Sequence, residues 1–525
     1  MTDQANSSFS TPEALKRLKR RRASDVRFRF YGMGAIFLAL SALLLLALSI
    51  GSQAVSAATY HVVRYDVTLD RAVIAPPGEE TPEDISRNVD GFWELARDNL
   101  ITTFPESDQN RAKRLEVSQF ITRLAVLPTA KRVAAQPQLI GTRIELVAPL
   151  NDDLDLYLKG QAFGERRVRV GEVAAVRPQE DGRAVLEGQG AFAPILTAIT
   201  TLEADGINME EASVLLTSGA STGRLEAIEP GAARLELLTG TLDAFQSGAA
   251  TARIIALPEA QRVISDQQIA WTLALKDMDR ISRVPRWSLL THSDSTYPEL
   301  AGGLAALVGS LFTMLVTALV AIPIGILAAV YLEEFAPKNR LTDFIEVNIN
   351  NLAAVPSIVF GLLGAAVYIN FLGMPRSAPL VGGLVLALMT FPVVIIAARA
   401  ALKAVPPSVR SGALAIGASK MQTVFHHVVP LAAPGILTGA ILGMARALGE
   451  TAPLLLIGMV AFVGDVPSSP TDESTVMPVL IFTWANNAER SWEPMTSAMI
   501  IILLAVLLLM NGMVVFLRRK YERRW

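Results

Sequence analysis

The sequence predicts an all-α polytopic membrane domain of six transmembrane helices, with a large α+β insertion between helices 1 and 2. Of the 525 residues, 51% are hydrophobic and only 18% are charged, below the ~25% charged share of ordinary soluble chains. Several apolar tracts exceed the ~20 residues that a helix needs to cross a bilayer core of ~30 Å. One long polar stretch, residues 59–300, separates the first tract from the others.

Composition excludes three classes of protein. A wholly soluble enzyme does not have apolar tracts of this length. A secreted domain stabilised by disulfides is excluded because the chain has no cysteine. A general nucleic-acid binder is excluded because a formal net charge of −2 leaves no cationic excess to neutralise phosphates.

The transmembrane helices follow from gaps between charged residues. In chain order, spans one to six are Tyr31–Ala58, Leu304–Leu332, Ile349–Leu372, Pro379–Ala398, Leu431–Val463 and Pro494–Leu517. The fifth tract is too long for one simple span and contains Arg446, Glu450 and Pro453. Because hydrocarbon cannot satisfy charges or free backbone groups, this tract must break or line a wet surface.

Basic segments indicate the orientation of the chain. Lysines and arginines precede span one, follow span six, and occur in the loops between spans two and three and between spans four and five. The positive-inside rule places these segments in the cytoplasm, and an even number of spans agrees. The expected organisation is a basic N-terminus (1–30), helix 1 (31–58), a domain outside the cytoplasm (59–300), a membrane core with helices 2–6 (301–517) and a basic tail (518–525).

Val55-Ser56-Ala57 provides an alternative for the first tract, because it resembles a signal-peptidase site after a basic segment. The apolar region of a signal peptide has only ~7–15 residues, and this tract is nearly twice as long. We therefore expect an uncleaved membrane anchor.

Residues 59–300 are expected to form a globular α+β domain. Strands are predicted at 61–69, 143–147, 166–170, 233–238 and 252–257, and helices at Pro82–Leu100 and Ser118–Leu127. The acidic run Asn151–Asp155 lacks the glycine and glutamate of a calcium loop, which favours a solvated turn. His61 and His292 have no evident metal-ligand partners. No active-site constellation emerges, and docking of a partner protein is the remaining hypothesis.

The loop 405–430 between spans four and five has the features of a docking element. Pro406 and Pro407 start a short helix, Gly417 fits a sharp turn, and Ser419 caps a second short helix that is expected to end before Pro430. Small, weakly polar residues suggest insertion into a groove on another protein, although an ordinary inter-span loop has a similar pattern. The glycine spacing is not a P-loop, because Ala418-Ser419-Lys420 follows instead of Lys-Ser/Thr.

Arg446 and Glu450 are the candidate functional charges of span five. Counting from Pro434, Arg446 lies roughly 18 Å along the helix, and a spacing of four places the two side chains on one face. Gly449 and Pro453 permit a local break. The pair could only fix helix packing. Alternatively it lines an anion path, in which Arg446 binds the oxyanion and Thr451 donates a further hydrogen bond.

Four segments carry a resemblance to a known family: Pro406–Ile436 with Gly417 at its centre, Leu327–Glu334, Val355–Gly364 and Arg446–Leu455. The first resembles the EAA coupling loop of ATP-binding-cassette (ABC) importer permeases. Together they resemble the PstA-type permease subunit of bacterial phosphate importers, over residues 300–517 and the first span. The string Gly-Glu-Thr-Ala-Pro-Leu-Leu at 449–455 is specific to the phosphate-type members.

The resemblance implies a non-catalytic subunit of the bacterial inner membrane that has no cofactor of its own. Its implied partners are a PstC-type permease, two PstB-type ATPases, which use ATP and magnesium, and a periplasmic PstS-type phosphate-binding protein. The implied ATPase-coupling residues are Arg410, Ser411, Gly412, Ala413, Gly417, Ala418 and Lys420. The family's usual Arg-Glu-Ala-Ala stands here as Arg410-Ser411-Gly412-Ala413, so the acidic residue is absent.

Other functions remain open at this stage. A permease for another oxyanion, such as phosphonate, has the same requirements. A membrane-anchored sensor with an external ligand-binding domain is a different class, but five further spans and an intramembrane charge pair exceed what signalling needs. An intramembrane enzyme would need a nucleophile–base or metal pair at membrane depth, and no histidine lies there.

Overall fold

The computed structural model describes residues 12–521 except 180–181, 210, 248 and 461. Parts of the basic N-terminal segment (1–11) and of the basic tail (522–525) lie outside the described residues. The membrane helices are α1 (Pro12–Ala57), α12 (Leu304–Val330), α13 (Arg340–Ala353), α14 (Ser357–Gly364), α15 (Pro379–Lys403), α16 (Pro407–Ala415), α17 (Lys420–Gln422), α18 (Val429–Gly449), α19 (Ala452–Leu456), α20 (Met477–Ala485) and α21 (Trp492–Tyr521).

Among the described residues, five helices are long and apolar enough to cross a membrane, and a sixth span exists if one bent pair is counted. The five are Leu18–Ala57, Leu304–Phe335, Pro379–Lys403, Lys420–Gly449 and Trp492–Met513. They correspond to spans one, two, four, five and six of the sequence prediction.

Span three differs from its prediction as one helix. The chain forms α13, then α14 with a π-helical extension to Phe371, and the two parts are bent by 101°. Pro356 caps α14 in an extended conformation, with φ −55° and ψ 136°. A proline disfavours the helical conformation at the preceding residue, which explains the bend although the tract is apolar throughout.

Span five breaks, as its charges indicate, but begins earlier than expected. α18 ends at Gly449, Glu450 is extended, and α19 starts at Ala452. The prediction of a separate helix ending before Pro430 is wrong, because a π-helical turn over Thr423–Val428 joins α17 to α18. The different hydrogen-bond register of a π turn accommodates the donor that proline lacks.

Residues 59–291 contain two antiparallel sheets. The strands are β1 (Thr59–Thr68), β2 (Arg143–Pro149), β3 (Glu165–Arg169), β4 (Ala175–Pro178), β5 (Arg183–Glu187), β6 (Ser213–Ser218), β7 (Ser221–Glu229), β8 (Ala232–Thr239), β9 (Thr251–Ile255) and β10 (Ile281–Pro285). A three-stranded sheet has the order β10-β1-β2, and a seven-stranded sheet has the order β3-β9-β6-β7-β8-β5-β4. The five predicted strand segments coincide with β1, β2, β3, β8 and β9.

The helices of this region are α2 (Arg71–Ile74), α3 (Pro82–Arg87), α4 (Val89–Thr103), α5 (Arg111–Ser118), α6 (Leu127–Ala135), α7 (Asp152–Leu158), α8 (Ala193–Ala204), α9 (Ala244–Ser247), α10 (Asp266–Asp277) and α11 (Ser288–Thr291). Asn88 ends α3 and caps α4, so the predicted helix Pro82–Leu100 is split. The helix predicted at Ser118–Leu127 is wrong, because α5 ends at Ser118 and a 3₁₀ turn covers Arg123–Val126.

The acidic run also differs from its prediction as a turn. The side chain of Asn151 caps α7 by accepting from the amide of Asp153, and acidic residues occupy the first turn. Carboxylates are favourable there because they face the positive end of the helix dipole. Asn151 and the acidic residues that follow it therefore form the N-terminus of α7.

The centre of the region 59–291 is α10, which is buried on every side from Asp266 to Leu275. Its Trp271 packs on Phe104 and Phe120 in an apolar cluster that also includes residues of the small sheet. A second cluster lies between the large sheet and α8. A helix that is buried all round joins the layers that surround it.

Span five packs on span four through small residues. A Cβ at Gly439 would lie 2.1 Å from Cβ of Ala397, and one at Gly435 would lie 2.7 Å from Cβ of Ala401. Small residues spaced by four allow two membrane helices to approach closely. This contact holds the helix that carries Arg446 against α15.

We predict that Gly439→Ala lowers the free energy of unfolding by about 1–3 kcal/mol, because the methyl group must push α18 away from α15. The matched control is Gly512→Ala in α21, where a Cβ meets open space. It should be neutral or slightly stabilising through helix propensity. Unfolding of the purified variants in detergent measures the difference, and equal stabilities would contradict the close contact.

Candidate functional site

Arg446 and Glu450 form an ion pair at the end of α18. Arg446 Nε lies 3.4 Å from Glu450 Oε1, one helical turn away as the spacing predicts. The side chain of Arg446 is 51% exposed in this chain, and that of Glu450 is 21% exposed. The guanidinium is therefore not sealed among the side chains of this chain.

The helix break holds this pair in place. Glu450 adopts φ −80° and ψ 120°, and its amide donates to the carbonyl of Ala447. The carbonyl of Thr451 accepts from the amides of Leu454 and Leu455, while its side chain makes no capping hydrogen bond. Thr451 therefore directly follows Glu450 within the break, and its hydroxyl does not cap α19.

The other side of the break is packed against span three. A Cβ at Gly361 would lie 2.7 Å from Cα of Pro453, so glycine is required for α14 to approach α19. Met444, Ala447 and Leu448 are buried, whereas Leu442, Arg446 and Gly449 lie on the exposed face of α18. Only one face of the broken helix is therefore uncovered, and this face carries the charge.

The loop after span four has the predicted helix and turn. Pro406 caps α16, and Gly417 ends it with φ +90°, a conformation that favours glycine. Leu414 and Ile416 are 52% and 83% exposed. An exposed apolar tip on a short helix is suited to docking on another protein.

Arg410 faces the chain itself instead of the exposed tip. Its guanidinium contacts Glu334 at 2.6 Å and donates to the carbonyls of Leu402 and Val405 at 2.9 and 2.8 Å. The sequence prediction missed Glu334 as a partner. Adjacent glutamates at the end of an apolar tract were a visible signal, but nothing local links them to a loop 76 residues away.

A second group of charges lies where the region 59–291 meets the membrane helices. Asp155 contacts Nδ1 of His61 and Nζ of Lys159, both at 2.7 Å, and lies 3.7 Å from Arg286. Arg286 also contacts Met495 of α21. His61 and Asp155 therefore belong to a buried junction between the region 59–291 and span six, which the sequence prediction missed.

Burial and charge shift the pKa values of this junction. Burial alone would raise the pKa of Asp155, but the hydrogen bond to His61 and the charge of Lys159 lower it below its ordinary value. Burial raises the pKa of Glu299 to about 7, with a further contribution from Asp152. Glu299 therefore changes its charge near neutral pH.

Comparison with known proteins identifies the membrane part. Residues 321–523 match the family described as "Binding-protein-dependent transport system inner membrane component", and residues 15–166 match a "Domain of unknown function (DUF3333)". The chain is 35% identical over 245 residues to the "Phosphate transport system permease protein PstA" of Mycobacterium leprae, covering 45% of this chain and 79% of that protein.

Two further proteins are similar to about the same share of this chain. The chain is 33% identical to "Phosphate transport system permease protein PstA 1" of Mycobacterium tuberculosis strain H37Rv, over 49% of this chain and 83% of that protein. An inward-facing structure of the MetNI methionine ABC transporter is 16% identical, with a TM-score of 0.33, over 41% of this chain and 94% of that one.

The family match, the similar PstA proteins and the membrane helices define a multi-pass permease subunit of an ABC importer, the class whose members work with an ATPase and a substrate-binding protein. Within this class, the chain belongs to the family of PstA-type permeases. The resemblance found in the sequence is therefore confirmed. Membership does not favour the alternative of a membrane-anchored sensor.

We predict a pH-dependent difference between the wild type and Glu299→Gln. Because the folded-state pKa of about 7 exceeds the ordinary value of 4.5 for a glutamate, the folded wild type holds a proton that the unfolded state has lost. Its stability relative to the variant should fall as pH rises from 4.5 to 7, by about 3 kcal/mol when complete. Unfolding at pH 5 and pH 8 measures this change. A pH-independent difference would contradict it.

Proposed function

We propose that this chain is the PstA-type permease subunit of an ATP-driven phosphate importer and that it forms one side of the phosphate path. The observation that carries the proposal is the half-exposed guanidinium of Arg446 at a helix break in an apolar span. A charge at membrane depth costs about 2.5–3.5 kcal/mol on insertion scales unless water, protein or a counter-ion receives it. The relatives are named as phosphate transport permeases, which supports phosphate as the anion of this path.

The chemistry of the pair suits a partly protonated oxyanion. Arg446 can donate two parallel hydrogen bonds to phosphate oxygens, which compensates the lost hydration of the anion. Glu450 Oε1 lies 3.4 Å from Arg446 Nε and orients the guanidinium. Glu450 can also accept a hydrogen bond from a protonated phosphate, which fully ionised sulfate cannot offer, and the Thr451 hydroxyl can donate another.

The proposed assembly places both termini in the cytoplasm and residues 59–300 in the periplasm. A PstC-type permease covers the exposed face of α18, so that the path runs between the two permeases. PstB-type ATPases, which use ATP and magnesium, receive the exposed end of α16 around Gly417. A PstS-type protein delivers phosphate from the periplasmic side. This chain performs no covalent chemistry, and the spans alternate access around Arg446 and Glu450.

The absence of cysteine allows a direct test of this topology. We predict that Val263→Cys, at a position 79% exposed before α10, is labelled by a membrane-impermeant maleimide in spheroplasts. Ile416→Cys, at a position 83% exposed beside Gly417, should be labelled only after permeabilisation. Labelling of both positions from the same side would contradict the orientation.

We predict that Arg446→Ala lowers phosphate uptake by about tenfold or more, because loss of a charged hydrogen-bond donor removes about 1.5–3 kcal/mol of interaction. Arg446→Lys should retain part of the uptake, since an ammonium keeps the charge but not the paired geometry. Labelled-phosphate uptake into cells that lack other phosphate importers measures both effects.

Two controls accompany this measurement. Arg169→Ala removes a positive charge from an exposed position of β3 and should leave uptake unchanged. Co-purification of the ATPase with Arg446→Ala shows that the complex assembles. Normal uptake by an assembled Arg446→Ala complex would remove this residue from the path.

A further inference from the structure

Several elements contact the end of span two, on the same side of the membrane helices as α16. α12 ends in a π-helical turn, Tyr331–Phe335, which we call the π turn. Three successive residues of this turn, Glu333, Glu334 and Phe335, contact three different elements. Isolated π-helical turns often occur at functional positions because they redirect side chains.

Glu333 connects the π turn to span four. Its carboxylate lies 3.4 Å from Nε of Arg399 and 3.7 Å from Nζ of Lys403. Arg399 also pairs with Glu346 of α13. The side chains of Arg399 and Glu333 are 14% and 17% exposed, so solvent screens this contact only partly. Spans two and four and helix α13 are therefore held together by charge.

Glu334 connects the same turn to α16. Its carboxylate is 9% exposed and contacts both Nε and Nη2 of Arg410, at 3.2 and 2.6 Å. Arg410 also donates to the carbonyls of Leu402 and Val405, which satisfies the free C-terminal end of α15. Because one guanidinium contacts spans two and four at once, α16 cannot turn without moving both.

Phe335 connects the turn to the other end of the loop. The ammonium of Lys420, at the start of α17, lies 5.3 Å from the centre of the Phe335 ring, within the range of a cation–π interaction. An apolar cluster underneath joins the same elements, with Val330, Leu402, Val424 and Val428 among its members. Both ends of the loop that contains Gly417 are thus fixed to the π turn.

We infer that Glu334 is a positioning residue for energy coupling, because its contact with Arg410 transmits movement of α16 to spans two and four. This inference rests on the proposed function, since it requires an ATPase bound at α16. Glu334 touches neither substrate nor nucleotide in this assignment. Its loss should therefore separate ATP hydrolysis from transport instead of stopping hydrolysis.

The test uses the complete complex of both permeases, ATPase and phosphate-binding protein in proteoliposomes. For Glu334→Gln we expect assembly and basal ATP hydrolysis like those of the wild type, but about tenfold less phosphate accumulated per ATP hydrolysed. Glu334→Asp keeps the carboxylate at a shorter reach and should retain more of the coupling than Glu334→Gln. Asp343→Asn, an exposed carboxylate on α13, is the matched control and should behave as the wild type.

The readout separates coupling from a structural role, because a merely unstable subunit lowers hydrolysis and transport together. Wild-type coupling in Glu334→Gln would overturn the inference, as would coupling in Glu334→Asp that is no higher than in Glu334→Gln. If Glu334→Gln does not assemble, Arg410→Lys keeps the positive charge but loses the paired contact with Glu334, and wild-type coupling in that variant overturns the inference. A wild-type complex that does not import phosphate refutes the proposed function, whereas normal variants in an importing complex refute only the role of Glu334.

Discussion

Hydrocarbon cannot solvate an ionised side chain or an unpaired backbone group, and the structure of span five follows from this constraint. The helix breaks between Gly449 and Ala452, and Glu450 in this break pairs with Arg446 of α18. Pro453 is packed against Gly361, which closes one side of the break with protein. The other side, with Arg446, is exposed in this chain and must face protein or water in the membrane. The candidate site therefore lies on the face of α18 that the rest of this chain does not cover.

Features that depend on local chemistry were predictable from the sequence. The apolar tracts, the break in span five, the pairing of Arg446 with Glu450, and a helix and turn between Pro407 and Gly417 require only spacing and residue type. Sequence patterns gave the wrong local structure at two prolines, because the effect of a proline on a helix depends on the structure around it. Pro356 bends span three by 101°, whereas Pro430 is accommodated by the preceding π-helical turn. The mean hydropathy of an apolar tract does not distinguish a proline that bends the helix from one that the helix accommodates.

Contacts between distant parts of the chain could not be predicted in the same way. Asp155 and His61 are 94 residues apart, and Arg410 and Glu334 are 76 residues apart. From its neighbours in sequence alone, each of these residues would be interpreted as a solvated polar or charged side chain. Burial in the folded chain gives each residue a partner, because an unpaired charge with little exposure is costly. The acidic run at Asn151–Asp155 shows this most clearly, since its last member is buried in an ion-pair junction.

Two ion-pair junctions connect elements of the chain, one at each end of the membrane helices. On one side of the membrane helices, Arg286, which pairs with Asp155, contacts Met495 and holds residues 59–291 to span six. On the other side, the π turn holds α16 to spans two and four. Between these two junctions lie the bend before Ser357 and the break after Gly449, where α14 and α19 pack together through Gly361. Arg446 lies just before this break, so a change in the packing of α14 on α19 would also change the surroundings of its guanidinium.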